Sequence, residues 1–482
     1  MWWGKNVMLL HHKGILMSVR KFVLPVFAAG VGIAVVVAGV AFAHDDPQGV
    51  QPDQGHAGHH AAAGGAAVTA TGYQTSSKAA AVYFAAGLSG RNEVPAGAGD
   101  PDGRAMAVVR VKGDQVSYAV RWQNITAPKA FHIHQGVAGA NGGVKVDFLG
   151  SDIPAGVQAI TGSVKVTDSA LLESIRTNPA GFYLNLHTAE FPAGAVRGQL
   201  HTLKRAVDLN GVLNGSIADN LQSVADGKQE VPGPKPVGDP DGRAAWLMQA
   251  AGDKVSFATV WSGIGAPTNG HIHSGARGVN GPVVADFFAD ADGLPASVTG
   301  VAGTATVGAD LAGQIAKDPA AFYTNLHTAE FAGGAVRGQL AKNKSGQPRA
   351  VQAAVVGGSQ IYRCAAQPGG GFAFGQFGVA AVLRDGILHS FAKPVDGPPQ
   401  WIAPDGTAVT ATLVTKSANG DGNIPELLLD ARQVGGRSGI LADTTQILRL
   451  NTVGGVAPAG SCDLETQAVV SVPYQADYLF LG

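Results

Sequence analysis

Two short segments carry histidines at a spacing that suits metal binding. The first reads FHIH over residues 131–134, and the second reads GHIH over residues 270–273. Successive side chains of a β-strand point to opposite faces, so histidines one residue apart share a face. Neutral imidazoles are good ligands for copper and zinc. Each pair precedes a glycine-rich loop, and the pattern fits either a metal site or structural histidines that only form hydrogen bonds.

A third histidine recurs in the segment NLHTAEF, which occurs twice. In FYLNLH the apolar residues alternate with polar ones, so this predicted strand also has an apolar and a polar face. If the two kinds of strand are neighbours, each half of the chain brings three histidines together outside an apolar core. The predicted metal ligands are His132, His134 and His187 in the first half, and His271, His273 and His327 in the second. The candidates for supporting these ligands are Tyr183, Asn185, Glu190, Tyr323, Asn325 and Glu330.

The elements that position these histidines belong to an internal repeat. DPDGRA occurs at residues 100–105 and 239–244, and GAVRGQL at 194–200 and 334–340. The histidine pairs and the NLHTAEF segments recur at almost the same offset along the chain. An ordered set of motifs at a nearly constant offset indicates a duplicated domain. We predict one copy over residues 80–202 and a second over 206–342.

Each copy is predicted to be mainly β, with a sandwich-type core. The stretch RAMAVVRVKGDQVSYAVRW alternates between apolar and polar residues, breaks at residues 112–115 and alternates again, which is typical of a hairpin. A short helix is expected around residues 168–178. DPDG has the composition of a turn. A calcium loop at Asp100 and Asp102 is the alternative, although a full loop needs several more oxygen ligands.

The composition limits the partners of the protein. The 482 residues include 68 glycines, and only 14% are charged, which favours a β-rich chain with many turns. Lysine and arginine number 34 against 35 aspartates and glutamates. This balance gives no electrostatic reason to expect nucleic acid as a partner.

The N-terminal residues 1–43 have the pattern of an export signal. Arg20 and Lys21 precede an apolar run over residues 22–43 that ends in the small residues AFA. We predict cleavage after Ala43 and a secreted, periplasmic or cell-surface protein. The run is also long enough to span a bilayer, so an uncleaved anchor that tethers the protein to a membrane is the alternative.

Residues 44–79 predict a flexible linker rich in histidine, glycine and alanine. Its histidines are a compositional indication of metal binding, and a solvated linker with incidental histidines is the alternative. After cleavage, His44 would carry a free amine beside its imidazole, which is a chelating pair for copper. The histidines of this segment are His44, His56, His59 and His60.

The last part of the chain, residues 351–482, predicts a third, β-rich domain. It contains the only two cysteines of the chain, Cys364 and Cys462. In an oxidising compartment these two residues are expected to form a disulfide. A thiolate metal site is the alternative, but the CxxC spacing of such sites is absent. His389 stands alone and is interpreted as structural.

The motifs of the repeat resemble the CHRD domain, which is named for its occurrence in chordin and is common in secreted bacterial proteins. They are NEVP, DPDG, FHIHQGVAGANG, NLHTAEF and GAVRGQL, in this order. The strand with two histidines before a glycine-rich loop is also similar to copper–zinc superoxide dismutase. That resemblance implies two tandem Ig-like, superoxide-dismutase-like β-sandwiches with a histidine site outside the core. The CHRD pattern often carries glutamate where Ala195 and Ala335 stand, so Glu190 and Glu330 would have to supply any carboxylate. The third domain resembles an uncharacterised family of secreted bacterial and fungal proteins.

Two functions from different classes follow from these observations. The first is a secreted or periplasmic metal-binding protein, with copper favoured over zinc, that acts as a store, a scavenger or a weak redox site. The second is an extracellular structural, adhesion or ligand-binding module without a metal. The sequence contains no GxSxG elbow, phosphate-binding loop or HExxH motif. Dismutase-like redox activity is therefore the one enzymatic interpretation considered, and the sequence favours a function other than catalysis.

Overall fold

The structure is a computed structural model that describes residues 68–70 and 80–482, apart from residues 216, 218–219, 344–349 and 396. The predicted export signal, residues 1–43, lies outside the described residues. The same holds for the four linker histidines His44, His56, His59 and His60. Within the predicted linker, one described segment forms a strand, β1 (Val68–Ala70), which pairs with residues 164–166. The linker is thus not wholly without regular structure.

The described chain is mainly β, as predicted. The first copy contributes the strands β2 (Val82–Ser89), β3 (Arg104–Lys112), β4 (Gln115–Gln123), β5 (Ala130–Gln135), β6 (Val144–Asp147), β7 (Val157–Val166), β8 (Phe182–His187), β9 (Val196–Gln199) and β10 (His201–Leu203). The predicted hairpin is confirmed, because β3 and β4 pair across a two-residue turn in which Gly113 has a φ of 61°. Asp100 stabilises the DPDG turn, because its Oδ1 accepts hydrogen bonds from the amides of Gly103 and Asp102.

The strands of the first copy form two layers. One layer has the order β10-β2-β3-β4-β7, and the other has the order β6-β5-β8-β9. A single pairing, between Ser89 and Arg197, joins the two layers at one edge. The side chains of Phe131 and Ile133 on β5, and of Leu184 on β8, are completely buried between the layers. The histidines on the alternate positions of β5 therefore face away from this core.

The second copy repeats this topology. Its strands are β11 (Leu221–Asp226), β12 (Arg243–Ala251), β13 (Lys254–Ser262), β14 (Pro267–Ser274), β15 (Val283–Ala289), β16 (Val298–Thr306), β17 (Phe322–Thr328), β18 (Val336–Gln339) and β19 (Ala341–Lys342). The layers are β19-β11-β12-β13-β16 and β15-β14-β17-β18, and Asp226 with Arg337 joins them as in the first copy. The duplication of one sandwich fold is thus visible strand by strand.

The two copies share a continuous sheet. Strand β7 pairs with β4 of its own copy and with β16 of the second copy, both antiparallel. The amide of Ser163 also donates to the carbonyl of Ser297 across this junction. Backbone pairing at both edges of β7 covers strand edges that would otherwise be exposed.

Three helices occur in the described residues. They are α1 (Ser169–Thr177), α2 (Leu209–Asn214) and α3 (Ala309–Lys317). One of them, α2, packs against the sheet that the two copies share. Short 3-10 turns occupy Gly90–Asn92, Pro179–Gly181, Gly227–Gln229, Pro319–Ala321 and Arg384–Gly386. Helix α1 confirms the helix expected around residues 168–178. It begins after Asp168, whose carboxylate accepts the amide of Leu171, and ends before Pro179, because proline cannot continue a helix.

The C-terminal part of the chain forms a closed barrel. Its strands, which pair in chain order, are β20 (Ala350–Ala366), β21 (Phe372–Leu383), β22 (Leu388–Phe391), β23 (Pro399–Ile402), β24 (Ala408–Ser417), β25 (Glu426–Gln433), β26 (Gln446–Gly454) and β27 (Val469–Leu481). Strand β27 also pairs with β20 and closes the barrel. His389 is buried inside it and stacks on Trp401 at 4.3 Å between ring centroids, which fits a structural role.

The predicted disulfide between Cys364 and Cys462 is present. It connects β20 to the segment before β27 and spans 98 residues of sequence. Closing a loop of this length contributes on the order of 4–5 kcal/mol in the chain-entropy treatment of the unfolded state. The alternative of a thiolate metal site was wrong, because both cysteines are in the disulfide. Among the described residues, no helix has both the length and the apolar character needed to cross a membrane.

Candidate metal centres

Neighbouring strands bring the predicted ligands of each copy together. Strand β5 lies between β6 and β8, and His132 stands opposite Asn185 on β8 and Asp147 on β6. In the second copy, His271 on β14 stands opposite Asn325 and Asp286 in the same way. The pairing of β5 with β8, and of β14 with β17, thus positions the third histidine.

The three histidines of each copy form a compact cluster, called here the histidine triad. One nitrogen from each ring lies within 4.8 Å of the others in both triads. In the first triad, Nδ1 of His132 lies 3.3 Å from Nε2 of His187. The ring centroids of His132 and His187 are 5.0 Å apart, and those of His271 and His327 are 4.9 Å apart. The spacing allows a single ion to contact three imidazoles.

In the first triad, hydrogen-bond acceptors hold the ring nitrogens that face away from the centre. Nδ1 of His134 donates to the carbonyl of Gly142 at 2.9 Å, and Nδ1 of His187 donates to the carbonyl of Pro192 at 3.0 Å. A carbonyl only accepts, so both Nδ1 atoms carry the proton and both Nε2 atoms present a lone pair. Nε2 of His132 lies 3.6 Å from the carboxylate of Asp147, which leaves its Nδ1 on the side of the cluster.

The second triad has the same set of acceptors. Nδ1 of His273 bonds to the carbonyl of Gly281 at 3.0 Å, and Nδ1 of His327 to that of Ala332 at 3.3 Å. Nε2 of His271 lies 2.9 Å from the carboxylate of Asp286. Carbonyl or carboxylate partners of this kind fix the ring orientation of metal-binding histidines.

The remaining nitrogens of the second triad have no hydrogen-bond partner among the described residues. They are Nδ1 of His271, Nε2 of His273 and Nε2 of His327, and all three are buried. A buried polar atom without a partner costs free energy, and three such lone pairs converge here. A bound cation would satisfy all of them at once, so the residues present fit a metal ion.

Burial keeps the second triad neutral. It lowers the pKa of His271 to about 4, with a further lowering by His327 that Asp286 partly opposes. Burial also lowers the pKa values of His273 and His327. At neutral pH these imidazoles are therefore unprotonated, which is the form that binds a metal.

A stack of three side chains supports each triad from one side. In the first copy the ring of Tyr183 stacks on His134 at 4.8 Å, and the guanidinium carbon of Arg197 lies 3.4 Å from the centre of the tyrosine ring. In the second copy Tyr323 stacks on His273 at 4.8 Å, and Arg337 lies 3.5 Å from the tyrosine. These stacks restrict the rotation of one ligand in each triad.

The same arginine also holds the glycine-rich loop. The guanidinium of Arg197 donates to the carbonyls of Val137 and Ala140 and to the side chain of Asn141. The hydroxyl of Tyr183 accepts the amide of Gly142 at 3.2 Å. A Cβ at position 142 would lie 1.5 Å from a backbone oxygen, so only glycine fits there. The loop is thus fixed where its carbonyl orients His134.

The other predicted supporting residues make no hydrogen bond to a triad histidine that the structure shows. Asn185 and Asn325 are buried and donate to carboxylates of the repeated NEVP and QEVP motifs, Glu93 and Glu230, each at 3.4 Å. Burial raises the pKa of both carboxyls to about 7, although Arg197 and Arg337 oppose this shift. Glu190 and Glu330 are exposed, and neither belongs to a histidine cluster.

Sequence reasoning missed the carboxylates and arginines around the triads. Asp147 and Asp286 recur at the same offset as His132 and His271, and this signal was available. Arg197 and Arg337 lie within the repeated GAVRGQL motif. From the sequence alone, an arginine at such a position is expected at the surface. Their almost complete burial, with 1% of each exposed, follows only from the packing of the two layers.

Comparison with known families agrees with this architecture. Residues 84–200 and 221–340 each match the CHRD domain. Residues 380–482 match a family described as a protein of unknown function, DUF3455. No curated protein matches the chain, and no solved structure matches it either.

Proposed function

We propose that this tandem CHRD protein binds one transition-metal ion in each CHRD domain and does so outside the cytoplasm. The ligands would be His132, His134 and His187 in the first domain, and His271, His273 and His327 in the second. The observation that carries the proposal is the convergence of three buried, unpartnered nitrogens in the second triad. The second nitrogen of each ring points away from the cluster, towards a backbone carbonyl or the carboxylate of Asp286.

Copper is the favoured ion. Three imidazoles suit copper and zinc, and the affinity of such sites for divalent ions is highest for copper. His187 and His327 are half-buried, so part of each ring is exposed to solvent although Nε2 of His327 itself is buried. Storage, scavenging or weak redox activity would all use such a site.

Export is part of the proposal. The disulfide between Cys364 and Cys462 supports an oxidising compartment, because disulfides are rare in the cytoplasm. The apolar run over residues 22–43 would supply the signal, with cleavage after Ala43 or retention as an anchor. N-terminal sequencing of the exported protein distinguishes these two outcomes.

The test uses the full chain with the four linker histidines His44, His56, His59 and His60 replaced by serine. Copper is titrated by equilibrium dialysis against a competing chelator, and bound Cu(II) is examined by electron paramagnetic resonance. We expect two ions per chain with nitrogen coupling, one ion in His134→Ala or His273→Ala, and none in the double variant. His201→Ala, outside both triads, serves as the matched control and should keep both ions.

Zinc binding without copper binding would retain the sites and overturn the choice of metal. If neither ion binds above background, the metal proposal fails. The alternative is then a rigid extracellular module that needs no metal. The continuous sheet across β7 and β16 supports that alternative, because it holds the two domains in a fixed relation.

A further inference from the structure

The C-terminal barrel packs against the first CHRD copy and not only against its own core. Apolar side chains of both parts form one buried cluster, which includes Ala85, Met106, Val108, Leu428, Leu448, Leu450, Leu479 and Leu481. Polar contacts cross the same boundary, for example from Asn92 to Asn451 at 2.8 Å and from Arg91 to Gln475 at 2.7 Å. The two domains therefore meet along an extended seam.

Two cavities open along this seam and adjoin each other. Their volumes are about 310 Å³ and 660 Å³. Both have residues of the first CHRD copy and of the barrel in their walls. They share the lining residues Ala180, His201, Ser417, Glu426 and Leu450. We treat them as one feature, the seam cleft, whose size is in the range of small-molecule sites between domains.

A titratable pair stands where the two cavities meet. Nε2 of His201, on β10, lies 3.2 Å from Oε2 of Glu426, on β25. The other oxygen of Glu426 accepts the amide of Asn451 at 2.7 Å. Burial lowers the pKa of His201 to about 4 and raises that of Glu426 to about 7. Between about pH 4 and pH 7 the pair therefore holds one proton, on the carboxyl of Glu426 and not on the imidazole.

This arrangement gives the cleft a hydrogen-bond donor. When the carboxyl of Glu426 is protonated and faces Nε2 of His201, the favourable tautomer of the neutral imidazole carries its own proton on Nδ1. Nε2 is the ring nitrogen that faces Glu426, which leaves the Nδ1 proton of His201 for a bound molecule. A donor of this kind lining a cleft matches a ligand that only accepts.

The second CHRD copy shows that the fold does not need this histidine. After the shared GAVRGQL motif, the first copy continues with His201 and the second with Ala341. Ala341 is exposed, and the barrel packs against the first copy. The histidine triads were kept in both copies, whereas His201 occurs only where the barrel forms the opposite wall.

The remaining lining of the smaller cavity has two characters. Lys204, which is exposed and lines the same cavity as His201, provides a positive charge. The wall formed by the barrel is apolar and includes Leu427, Leu428, Leu448 and Leu450. Carboxylates bind well to a charged donor combined with a second hydrogen bond, and aliphatic carbons favour such an apolar wall.

We propose that the seam cleft binds a small organic acid, with its carboxylate at His201 and Lys204 and its aliphatic part against the leucines of β25 and β26. No histidine of either triad lines the cleft, although Arg197 and the glycine-rich loop of the first triad lie in the wall of its larger cavity. The proposal does not depend on a bound metal. Neither the motifs nor the family matches assign this site.

The test is a calorimetric titration of the full chain after removal of metal ions with a chelator. The probes are butyrate, hexanoate and octanoate, with hexanol and hexylammonium as matched controls for the carboxylate. We expect the affinity to rise about threefold to fourfold for each added methylene, because each one leaves water for an apolar wall. Hexanol and hexylammonium should bind at least about tenfold more weakly, because they lack the carboxylate.

Two variants locate the binding. His201→Ala, which gives the first copy the residue of the second, should weaken octanoate binding by about tenfold or more. Ser417→Phe fills the cleft from an exposed wall position and leaves the His201–Glu426 pair in place, so it should abolish binding. Ala341→His is the control and should leave binding unchanged. An unchanged near-ultraviolet circular dichroism spectrum shows that each variant is folded.

Two results would overturn the proposal. One is the absence of saturable octanoate binding at concentrations up to about 20 mM, because a dissociation constant above that value corresponds to a negligible affinity. The other is octanoate binding that neither His201→Ala nor Ser417→Phe changes.

Discussion

The two CHRD copies differ at their edges and agree at their histidine triads. The ring centroids of His134 and His187 are 5.9 Å apart, and those of His273 and His327 are 6.1 Å apart. The tyrosine and arginine that support the triads have matching contacts. In contrast, β10 carries His201 and faces the barrel, whereas β19 carries only exposed residues.

This comparison separates two kinds of retained residue. Duplication initially copies structural and functional residues alike, so agreement between the copies does not by itself indicate a function. The triads are informative because their agreement includes unfavourable features, namely buried nitrogens without described partners in the second copy. The edge strands β10 and β19 are informative because they differ between the copies, and only β10 faces the barrel.

The largest expected effect concerns the arginines that hold the glycine-rich loops. Arg197→Met and Arg337→Met should each destabilise their own copy by about 2–3 kcal/mol, because hydrogen bonds from a buried charge are lost. Hydrogen exchange measured by mass spectrometry over residues 130–147 and 267–289 reports each copy separately. Faster exchange should be confined to the copy that carries the substitution.

The conservative variants sharpen this comparison. Arg197→Lys and Arg337→Lys keep the charge but lose the planar fork that reaches several acceptors, so they should recover little of the protection. Equal protection in the lysine variants and the parent would show that charge alone is sufficient. An effect in only one copy would show that the two loops are not held in the same way.

The next effect concerns the carboxylates beside His132 and His271. Asp147→Asn and Asp286→Asn should each lower the metal affinity of their own triad by about 10-fold to 100-fold, because an outer carboxylate orients its histidine and increases its basicity. Competition with a chelator in the single-site backgrounds His273→Ala and His134→Ala measures each triad alone. Glu190→Gln and Glu330→Gln, at exposed positions, are the matched controls and should leave the affinity unchanged. A larger effect of these controls would show that Glu190 and Glu330 are the supporting carboxylates, as the sequence predicted.

The sequence predicts the copies well because their information is local or repeated. Alternation placed Phe131 and Ile133 in the core and the histidines outside it, and the β-structure follows this pattern. The short helix α1 was predicted from its cap and apolar spacing, both of which are local in sequence. The disulfide followed from the presence of only two cysteines together with the export expected from the N-terminal residues.

The seam between the first copy and the barrel was beyond such reasoning. His201 and Glu426 lie in different domains, and nothing local in the sequence indicates that they meet. No periodicity within a strand indicates which face of one domain packs against another. The continuation of the sheet through β7 and β16 was missed for the same reason, because an edge strand carries no signal that names its partner.

The third prediction tests the seam through its dependence on pH. Because the folded-state pKa of Glu426 is raised from 4.5 to about 7, its contribution to stability is complete below pH 4.5 and is lost as pH rises towards 7. Because that of His201 is lowered from 6.5 to about 4, its contribution is complete above pH 6.5 and is lost as pH falls towards 4. Between pH 4.5 and 6.5 the two slopes oppose each other in the parent protein.

Removing one partner should expose the slope of the other. The His201→Ala variant should lose stability relative to the parent as pH rises from 4.5 to 7. The Glu426→Gln variant should lose stability as pH falls from 6.5 to 4. Each loss amounts to at most about 1.4 kcal/mol per pH unit. Urea unfolding at intervals across this range measures both slopes. Slopes of the same sign in the two variants would contradict the shared proton.

The smallest effect is expected where the copies differ most. Ala341→His gives the second copy the edge residue of the first, but its side chain would stay in water beside Lys342 without a carboxyl partner. Exposed substitutions of this kind change the free energy of unfolding by less than about 0.5 kcal/mol. His201→Ala should cost about 1–2 kcal/mol at neutral pH, because it removes the imidazole that lies 3.2 Å from the largely buried carboxyl of Glu426. Urea unfolding of Ala341→His, of His201→Ala and of the variant with both substitutions measures this difference between the copies. Equal effects of the two single substitutions would mean that the contact with the barrel does not determine the role of His201.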